Sequence, residues 1–437
     1  MTEKQTKFKE TKIGMIPEDW EVKEIKEVST KLGDGLHGTP KYDEKGEYYF
    51  INGNNLVEGK IQFNGNTKRC SKEEFEKYKK ELNENTILVS INGTLGNIAL
   101  YNEEKVILGK SVCYFNVKNG FNLLFIKYIL KNKYFQNYIL FNATGTTIKN
   151  VSLKQMREFK FGIPKDFEEQ KAIAAILSSL DDKIELNQRM NKTLEEIGQA
   201  IFKHWFIDFE FPNEEGKPYK SSGGEMVYNE ELEKEIPKGW NVVKLKEVLS
   251  LNKRGIAPKY SETGIPVINQ KCIRDFRIID EDVLFHDVNV EVPEYAFIKL
   301  YDILINSMGV GTLGRLSQVS IVREKKIVHS CITIIRANSE IIHPLILGYY
   351  FKNIQSKIEN MGEGTTGQTS LKNNLLDELA FILPPKTVQE KIISFYEKIN
   401  YKIDENLFEI SIFSQIRDAL LPKLMSGKIR VPLEGKE

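Results

Sequence analysis

Two short stretches of the chain contain residue types that can bind phosphate. Leu108-Gly109-Lys110-Ser111 matches the end of a phosphate-binding loop, in which backbone N–H groups and a lysine surround the phosphates. That loop requires a glycine five residues before Gly109, where this chain has Glu104. Residues 309–314 have the GxGxxG spacing of a dinucleotide-binding turn, but the similar residues 91–96 lack the leading glycine. We therefore reject both stretches as nucleotide sites and interpret residues 309–314 as a tight turn of the same kind as residues 91–96.

Other residue patterns that support catalysis are missing from the sequence. No Asn/Asp-Pro-Pro-aromatic tetrapeptide is present to hold a flipped adenine, and no PD...ExK run offers a nuclease metal site. The cysteines and histidines lie far apart and form no CxxC, HxxxH or HExxH pair. The sequence therefore predicts no catalytic centre, no metal site and reduced thiols. These residues are Cys70, Cys113, Cys272, Cys331, His37, His204, His286, His329 and His343.

The bulk properties predict a multidomain protein in the cytoplasm. A chain of 437 residues exceeds one ordinary core, and no stretch approaches the ~18 apolar residues that a membrane span needs. The charged start, MTEKQTKFKE, is unlike a secretory signal. The net charge is only +1, so any DNA-binding surface must be local. Part of the acid is concentrated in residues 210–235, which hold eight Glu and three Lys.

An internal repeat of about 220 residues organises the chain. Ile16-Pro17-Glu18-Asp19-Trp20 returns as Ile236-Pro237-Lys238-Gly239-Trp240, and Gly93-Thr94-Leu95-Gly96 returns as Gly311-Thr312-Leu313-Gly314. Pro40-Lys41-Tyr42, Gly145-Thr146-Thr147 and Ser152-Leu153-Lys154 also recur in the same order. Conserved order and spacing across five motifs indicate a duplicated unit.

Each repeat combines a mixed part with a helical part, which predicts an α+β fold. Short strand-like runs at residues 48–52, 86–91 and 112–117 are accompanied by a helix-like stretch at 123–140. A long helix is predicted after Pro164, and another after Pro385.

The two long helices carry matching apolar stripes that predict an antiparallel, coiled-coil-like pair. In the first helix, the 33 residues from Ile173 to Trp205 would extend about 50 Å, which suits a spacer. An Asn falls in the middle of each stripe, and we expect Asn187 and Asn406 to meet and fix the register. The alternative is that each helix packs separately on its own domain. The other predicted pairing residues are Leu180, Ile184, Ile399 and Ile403.

The residues resemble those of the specificity subunit of a type I restriction-modification system, over nearly the whole chain. The most specific stretch is the junction from His204-Trp205-Phe206-Ile207-Asp208 to Ile236-Pro237-Lys238-Gly239-Trp240. The loop His37-Gly38-Thr39-Pro40-Lys41-Tyr42 is also similar to family members.

This resemblance implies two tandem target-recognition domains separated by the helix pair and related by a pseudo-twofold repeat. Each would read half of an interrupted, asymmetric double-stranded DNA site. The helices would dock two adenine methyltransferase subunits, which bind S-adenosylmethionine, and restriction subunits would use ATP and Mg. The chain itself would need no cofactor and would not be an enzyme. The expected boundaries are 1–165 for domain 1, 166–211 for the central helical spacer, 212–235 for an acidic linker, 236–386 for domain 2 and 387–437 for the C-terminal helical spacer.

Comparison of the repeats separates two kinds of candidate DNA contact. Residues shared by both repeats cannot tell different half-sites apart, so we expect phosphate contacts from them, or only turn formation. Residues that differ in the same loops are candidates for base readout, because Arg and Lys suit guanine while Asn and Gln suit adenine. The phosphate candidates are Lys41, Tyr42, Thr146, Thr147, Lys154, Lys259, Tyr260, Thr365, Thr366 and Lys372. The base-readout candidates are His37, Thr39, Asn54, Lys149, Asn150, Lys253, Arg254, Lys271, Gln368 and Thr369.

Two other classes of protein remain open from the sequence. A tandem protein-interaction scaffold without DNA affinity fits the near-neutral charge. A self-contained DNA methyltransferase would require a cofactor pocket, for which the sequence offers no motif.

Overall fold

The computed structural model describes residues 6–146, 148–279, 283–309, 311–362 and 370–432. The chain divides into two compact units, the first unit comprising residues 1–185 and 410–437 and the second unit comprising residues 186–409. The division falls inside both long helices, so each unit contains half of each helix.

The first repeat contains short strands followed by helices. Its strands are β1 Phe8–Thr11, β2 Gly14–Pro17, β3 Trp20–Glu24, β4 Ser29–Asp34, β5 Tyr48–Ile51, β6 Leu56–Val57, β7 Lys60–Ile61, β8 Arg69–Cys70, β9 Thr86–Asn92, β10 Thr94–Leu100, β11 Val106–Leu108, β12 Val112–Val117 and β13 Lys160–Pro164. Its helices are α1 Ile25–Val28, α2 Lys72–Tyr78, α3 Leu123–Lys131, α4 Lys133–Asn142, α5 Leu153–Glu158 and α6 Phe167–Phe206.

The second repeat has a similar order of elements, except that Tyr260–Ser261 is an additional strand and 3₁₀ helices at Leu245–Val248 and Glu294–Ala296 stand in place of α1 and α2. Its strands are β14 Met226–Asn229, β15 Lys234–Pro237, β16 Asn241–Lys244, β17 Leu249–Arg254, β18 Tyr260–Ser261, β19 Ile265–Ile268, β20 Ile273–Arg274, β21 Arg277–Ile278, β22 Leu284–His286, β23 Ile303–Asn306, β24 Leu316–Gln318, β25 Ile327–Val328, β26 Ile332–Ala337 and β27 Ala380–Leu383. Its helices are α7 Pro344–Asn353, α8 Gln355–Glu359, α9 Asn373–Asp377 and α10 Lys386–Met425.

Sheet topology confirms the internal repeat. The main sheet has the order β10-β9-β12-β4 in the first repeat and β24-β23-β26-β17 in the second. A smaller sheet pairs β11 with β5 in parallel, and the equivalent strands β25 and β19 are also parallel. The antiparallel pair β3–β13 likewise corresponds to β16–β27. The predicted α+β class is therefore correct for both copies.

The main sheet is covered on both faces, which explains why the residues of its central strands are almost all buried. In β9, Ile87 and Val89 face the larger core of the first unit, while Leu88 packs in a smaller cluster on the other face. Ile303 and Leu304 of β23 divide in the same way between the two clusters of the second unit. Alternating side chains on a strand with two covered faces are all buried.

The helix predicted at residues 123–140 is two helices, because the chain turns at Asn132. The Asn132 side chain accepts a hydrogen bond from the Tyr134 N–H, which caps the start of α4. An Asn in this role satisfies a backbone donor that the preceding helix cannot.

Helices α6 and α10 pack antiparallel, as predicted. In the second unit the Trp205 ring lies 6.5 Å from that of Phe395, and the Asn187 amide donates to Glu409 at 2.8 Å. Early residues of one helix thus meet late residues of the other. In the first unit Arg417 donates to Asp181 at 3.0 Å with the same polarity.

The predicted Asn187–Asn406 pair is wrong by one helical turn. The side-chain amide of Asn406 donates instead to the side-chain oxygen, Oδ1, of Asn191 at 2.8 Å. Asn406 and Asn191 are fully buried, at 1% and 0% exposure. The reason is that the row of α6 residues that is buried along its whole length contains Asn191 rather than Asn187. Other members of this row are Ile184 and Trp205. Leu180, in the neighbouring row with Asn187, is only half-buried. The other predicted pairing residues, Ile399 and Ile403, are buried.

Candidate nucleic-acid interface

Five loops of the first unit are held together by hydrogen bonds at one edge of the sheets. The Gly53 N–H donates to Ser111 Oγ at 2.9 Å, and that hydroxyl donates to Asn52 Oδ1 at 3.0 Å. The Gly93 N–H, in the β9–β10 turn, donates to the Lys149 carbonyl at 3.0 Å. The Leu36 N–H donates to the Leu108 carbonyl at 2.7 Å, so the loop after β4 joins the same group. We call these loops, residues 35–42, 52–55, 92–94, 109–111 and 144–151, the first loop edge.

The close approach of two of these loops depends on a glycine. A Cβ atom on Gly53 would lie 2.7 Å from Cβ of Ser90 and 3.3 Å from the Thr94 carbonyl oxygen. A side chain at this position would push the turn at residues 53–55 away from the β9–β10 turn. Asn54, the next residue, is exposed at this junction, as a base-reading residue must be.

The base-readout candidates of the first loop edge differ in how freely their side chains can reach a ligand. Thr39 and Lys149 are exposed. His37 is exposed but its Nε2 lies 2.6 Å from Asp34 Oδ2. Asn150 is half-buried, and its Oδ1 accepts from the Asn92 amide at 3.2 Å, so much of its polar capacity serves the loop itself.

The phosphate candidates of the first repeat are also at the surface. Lys41, Tyr42 and Thr146 are exposed, and Lys154 extends into solvent with Glu158 no closer than 4.0 Å. Thr147 lies outside the described residues.

Lys110 was missed by the sequence reasoning and is exposed in the middle of the first loop edge. Its motif fails as a nucleotide loop, yet the residue stands between Gly109 and Ser111, both of which contact Asn52 or Gly53. A charge count offers a signal for it. Residues 105–157 contain nine Lys or Arg and no Asp or Glu, although the whole chain has a net charge of +1.

The second unit has an equivalent loop edge with different side chains. The Ile256 N–H donates to the Val328 carbonyl at 2.9 Å, as Leu36 does to Leu108. The Leu371 N–H donates to the Ser307 carbonyl, which ties the segment before α9 to the β23–β24 connection. We call residues 255–260, 269–272, 307–309, 329–331 and 370–372 the second loop edge.

The predicted contacts of the second unit are distributed over this edge. Arg254 is half-buried and donates to the Leu371 carbonyl at 2.9 Å, so it braces the edge from within. Lys253 is exposed, with its ammonium 5.4 Å from the centre of the Tyr295 ring. Lys259 is exposed 3.8 Å from Asp287.

Two further predicted residues come together in one cleft of about 420 Å³. Tyr260 and Lys271, predicted separately as phosphate and base contacts, both line it. Lys372 is exposed at the start of α9. Thr365, Thr366, Gln368 and Thr369 lie outside the described residues.

The glycine-rich stretches are turns in both units. Gly93 and Gly311 have φ values of +73° and +77°, and Gly96 and Gly314 both have +82°. A backbone conformation repeated at matching positions explains these glycines without a nucleotide.

The part of the chain that the structure describes has neither a cluster of metal ligands nor a helix that could span a membrane. No group of three or more His, Cys, Asp or Glu side chains there is placed to hold a metal ion. No helix within those residues is long and apolar enough to cross a membrane.

The chain thus consists of two α+β units with the same main-sheet topology, each with a loop edge and with part of each long helix. The chain belongs to the type I restriction modification DNA specificity domain family, whose model matches residues 17–196 and again residues 237–408.

Curated relatives match over almost their full length. The chain is 30% identical to the type I restriction enzyme MjaIX specificity subunit of Methanocaldococcus jannaschii, covering 98% of this chain and 97% of that protein. It is 28% identical to the MjaVIII specificity subunit of the same organism, with coverage of 98% and 97%.

A solved structure has the same fold. The crystal structure of a type I restriction-modification system S subunit from M. genitalium matches with a TM-score of 0.56 at 21% identity, covering 93% of this chain and 96% of that one.

Proposed function

We propose that this chain is the DNA-reading subunit of a type I restriction-modification complex. Each unit reads one half of an interrupted, asymmetric double-stranded DNA site. The chain carries no catalytic centre, and it positions two adenine methyltransferase subunits so that each can flip a base in its half-site.

The observation that carries the proposal is one backbone presented twice with different side chains on its loops. Asn54 and Lys271 follow equivalent strands, β5 and β19, in equivalent turns. Lys110 stands where the second repeat has Ser330. Two copies of one backbone fold with different loop side chains suit the reading of two different sequences. The shared fold sets the approach to DNA, and the loop side chains select the bases.

The long helices supply surface for partner proteins. Tyr401 and Phe408 in the second unit's part of α10, and Ile412 and Ile416 in the first unit's part, are large apolar side chains that remain exposed. Exposed apolar side chains along one helix are typical of protein interfaces. We assign this surface to the methyltransferase subunits, which bring S-adenosylmethionine, while restriction subunits bring the ATP and Mg chemistry.

The decisive experiment compares methylated adenines in a host genome with and without this gene. We expect a two-part motif that disappears on deletion. Binding of a duplex with that motif by the chain and its methyltransferase should weaken as salt rises, and a duplex with a scrambled motif should bind less tightly. Unchanged methylation and no preference for the motif would favour a protein scaffold instead.

A second experiment tests whether the chain itself binds the methyl donor. Labelled S-adenosylmethionine should crosslink to the methyltransferase and not to the isolated specificity subunit. Crosslinking to the isolated chain would contradict the non-catalytic assignment.

A further inference from the structure

The cleft of the second loop edge contains a histidine that sequence comparison did not single out. His329 lines the cleft together with Tyr260, Lys271, Gln270, Asn269 and Cys331, among others. The volume of about 420 Å³ falls in the range of small-molecule sites, ~300–1,000 Å³, and it is open to solvent on the loop edge. A cleft of this size can admit the edge of a DNA base.

The hydrogen bonds of His329 determine which ring nitrogen carries its proton. The Cys331 backbone N–H donates to Nδ1 at 3.0 Å, so Nδ1 is an acceptor and carries no proton. The proton of the neutral ring is then on Nε2. Burial lowers the pKa of His329 below its ordinary value of 6.5, which keeps the ring neutral at pH 7. In this tautomer His329, which lines the cleft, carries one N–H donor, at Nε2.

Lys271 supplies a second donor to the same cleft. Its backbone N–H donates to Asn269 Oδ1 at 2.8 Å, which fixes the turn at residues 270–272 from which the side chain extends. The side chain is exposed, and an ammonium group can only donate hydrogen bonds. The cleft thus combines two donors that come from different loops.

This donor pair belongs to the second unit. The Gly109 N–H donates to Ile51 O at 2.8 Å, and the His329 N–H donates to Ile268 O at 2.9 Å, which makes these two positions equivalent. The first loop edge therefore has Gly109 and Asn54 where the second has His329 and Lys271. Residues that differ at equivalent positions are those able to distinguish the two half-sites.

We propose that this cleft reads a guanine of the second half-site in the major groove. In this arrangement Lys271 donates to the guanine O6 and His329 donates to the guanine N7. Guanine is the base that presents two adjacent acceptors on that edge, whereas adenine presents one acceptor and one donor. This proposal rests on the proposed function, since it requires that the second loop edge faces DNA.

The test uses the full chain with its methyltransferase and a duplex carrying the motif found by methylation mapping. Each guanine is replaced in turn by 7-deazaguanine, which lacks the N7 acceptor. For the wild-type protein we expect a loss of affinity of about fivefold or more at one guanine. His329→Ala should bind the unmodified duplex more weakly and be insensitive to that one replacement. Lys271→Ala should relax the choice of base at the same position.

Matched variants separate readout from damage to the fold. Asn54→Ala, at the equivalent position of the first repeat, should affect the other half of the motif only. Lys271→Arg keeps a donor and should retain the guanine preference. Wild-type binding to the motif with no guanine coupled to His329 or Lys271, or coupling to an adenine, would overturn this proposal alone. Failure of the wild-type protein to prefer the motif would overturn the proposed function.

Discussion

At the scale of single residues, one arginine that follows α10 links three segments of the first unit by hydrogen bonds. Arg430 donates from Nη1 and Nη2 to both carboxylate oxygens of Asp19, at 3.0 and 2.6 Å. It also donates from Nε and Nη2 to Glu169, at 2.9 and 3.0 Å. The Glu169 side chain is only 5% exposed, and its other partner is the indole N–H of Trp20, at 3.3 Å. Arg430 thereby ties the segment after α10 to the start of α6.

We expect Arg430→Ala to destabilise the first unit, because it leaves the Glu169 carboxylate buried without its cation. Removing one partner of a buried ion pair costs about 3–5 kcal/mol, and the partial exposure of Arg430, at 33%, places this case at the lower end. Urea unfolding followed by tryptophan fluorescence, to which Trp20 of the first unit contributes alongside Trp205 and Trp240 of the second, would measure the change. Lys238→Ala breaks the exposed pair with Glu225 and is the control, expected to leave the midpoint unchanged. Equal effects of the two variants would contradict this account.

The residues that hold the start of the long helix in place differ between the two repeats. The same backbone arrangement is therefore stabilised by different contacts in each unit. Val388 stands at the position of Glu169. The last residue of α6 and the segment after it pack Phe206, Phe209 and Phe211 against Trp240. The second unit therefore uses aromatic packing where the first uses an ion-pair network.

At the scale of elements, the register of α6 and α10 is set by polar side chains in a buried stripe. In the second unit Asn406 donates to Asn191 Oδ1, and the Asn191 amide lies 3.4 Å from the Ile403 carbonyl. A buried amide pair costs stability compared with apolar packing but penalises every register in which the amides do not meet.

We expect Asn191→Ala to lower the free energy of unfolding by about 1–3 kcal/mol, because the Asn406 amide would be buried without its acceptor. The double variant Asn191→Leu with Asn406→Leu should recover that stability, since both polar groups are removed together. Denaturant unfolding of the single and double variants measures the coupling. Thr193→Ala, at an exposed position of α6, is the control. A double variant less stable than either single one would show that the pair contributes more than register.

An ion-pair network that joins α3, α6 and α10 around Asp181 gives the first unit a pH dependence. Burial raises the pKa of the Asp181 carboxyl, but Lys131, Arg417 and the Tyr128 hydroxyl more than offset this, and the pKa lies below its ordinary value of 3.8. A carboxyl with a lowered native pKa stabilises the fold above its unfolded pKa of about 3.9, and this contribution is lost as the pH falls through the native pKa.

We therefore expect Asp181→Asn to be less stable than the wild-type protein at pH 7, with a difference that shrinks below about pH 4. Unfolding free energies measured between pH 7 and pH 3 test this. Asp182→Asn, at the exposed neighbouring position, should show little difference at any pH. A constant difference over the whole range would indicate that Asp181 acts through packing rather than charge.

These elements also show what the sequence could and could not predict. The repeat, the α+β class and the antiparallel helices followed from motif spacing and apolar periodicity, because both patterns can be read directly from the order of the residues. The Asn187–Asn406 pair was wrong, since two adjacent rows of α6 are apolar and only packing decides which one is central. His329 was missed because its donor role depends on the Cys331 backbone N–H, a contact with no sequence signature. Which loop residues touch DNA stays a prediction.

At the scale of the whole molecule, the distribution of charge matters more than its sum. The chain balances 62 basic against 61 acidic residues, yet residues 105–157 contain no acidic residue. The acidic residues 210–235 and this basic segment are separated in the sequence, so the near-neutral total conceals a local cation-rich region. Phosphate binding depends on such local charge, because each contact releases counterions from DNA.

We expect Lys110→Ala and Lys154→Ala each to weaken DNA binding by the assembled complex about equally for all sequences. Each should also reduce the slope of log affinity against log salt concentration by about 1, since one phosphate contact is lost. Affinity measured by fluorescence anisotropy over a salt series, with motif and scrambled duplexes, gives both quantities. Lys217→Ala removes an exposed lysine from the acidic segment and should change neither. If Lys110→Ala instead relaxed the preference for the motif without altering the slope, Lys110 would be a base contact, and the positive charge of residues 105–157 would serve specificity rather than general attraction to DNA.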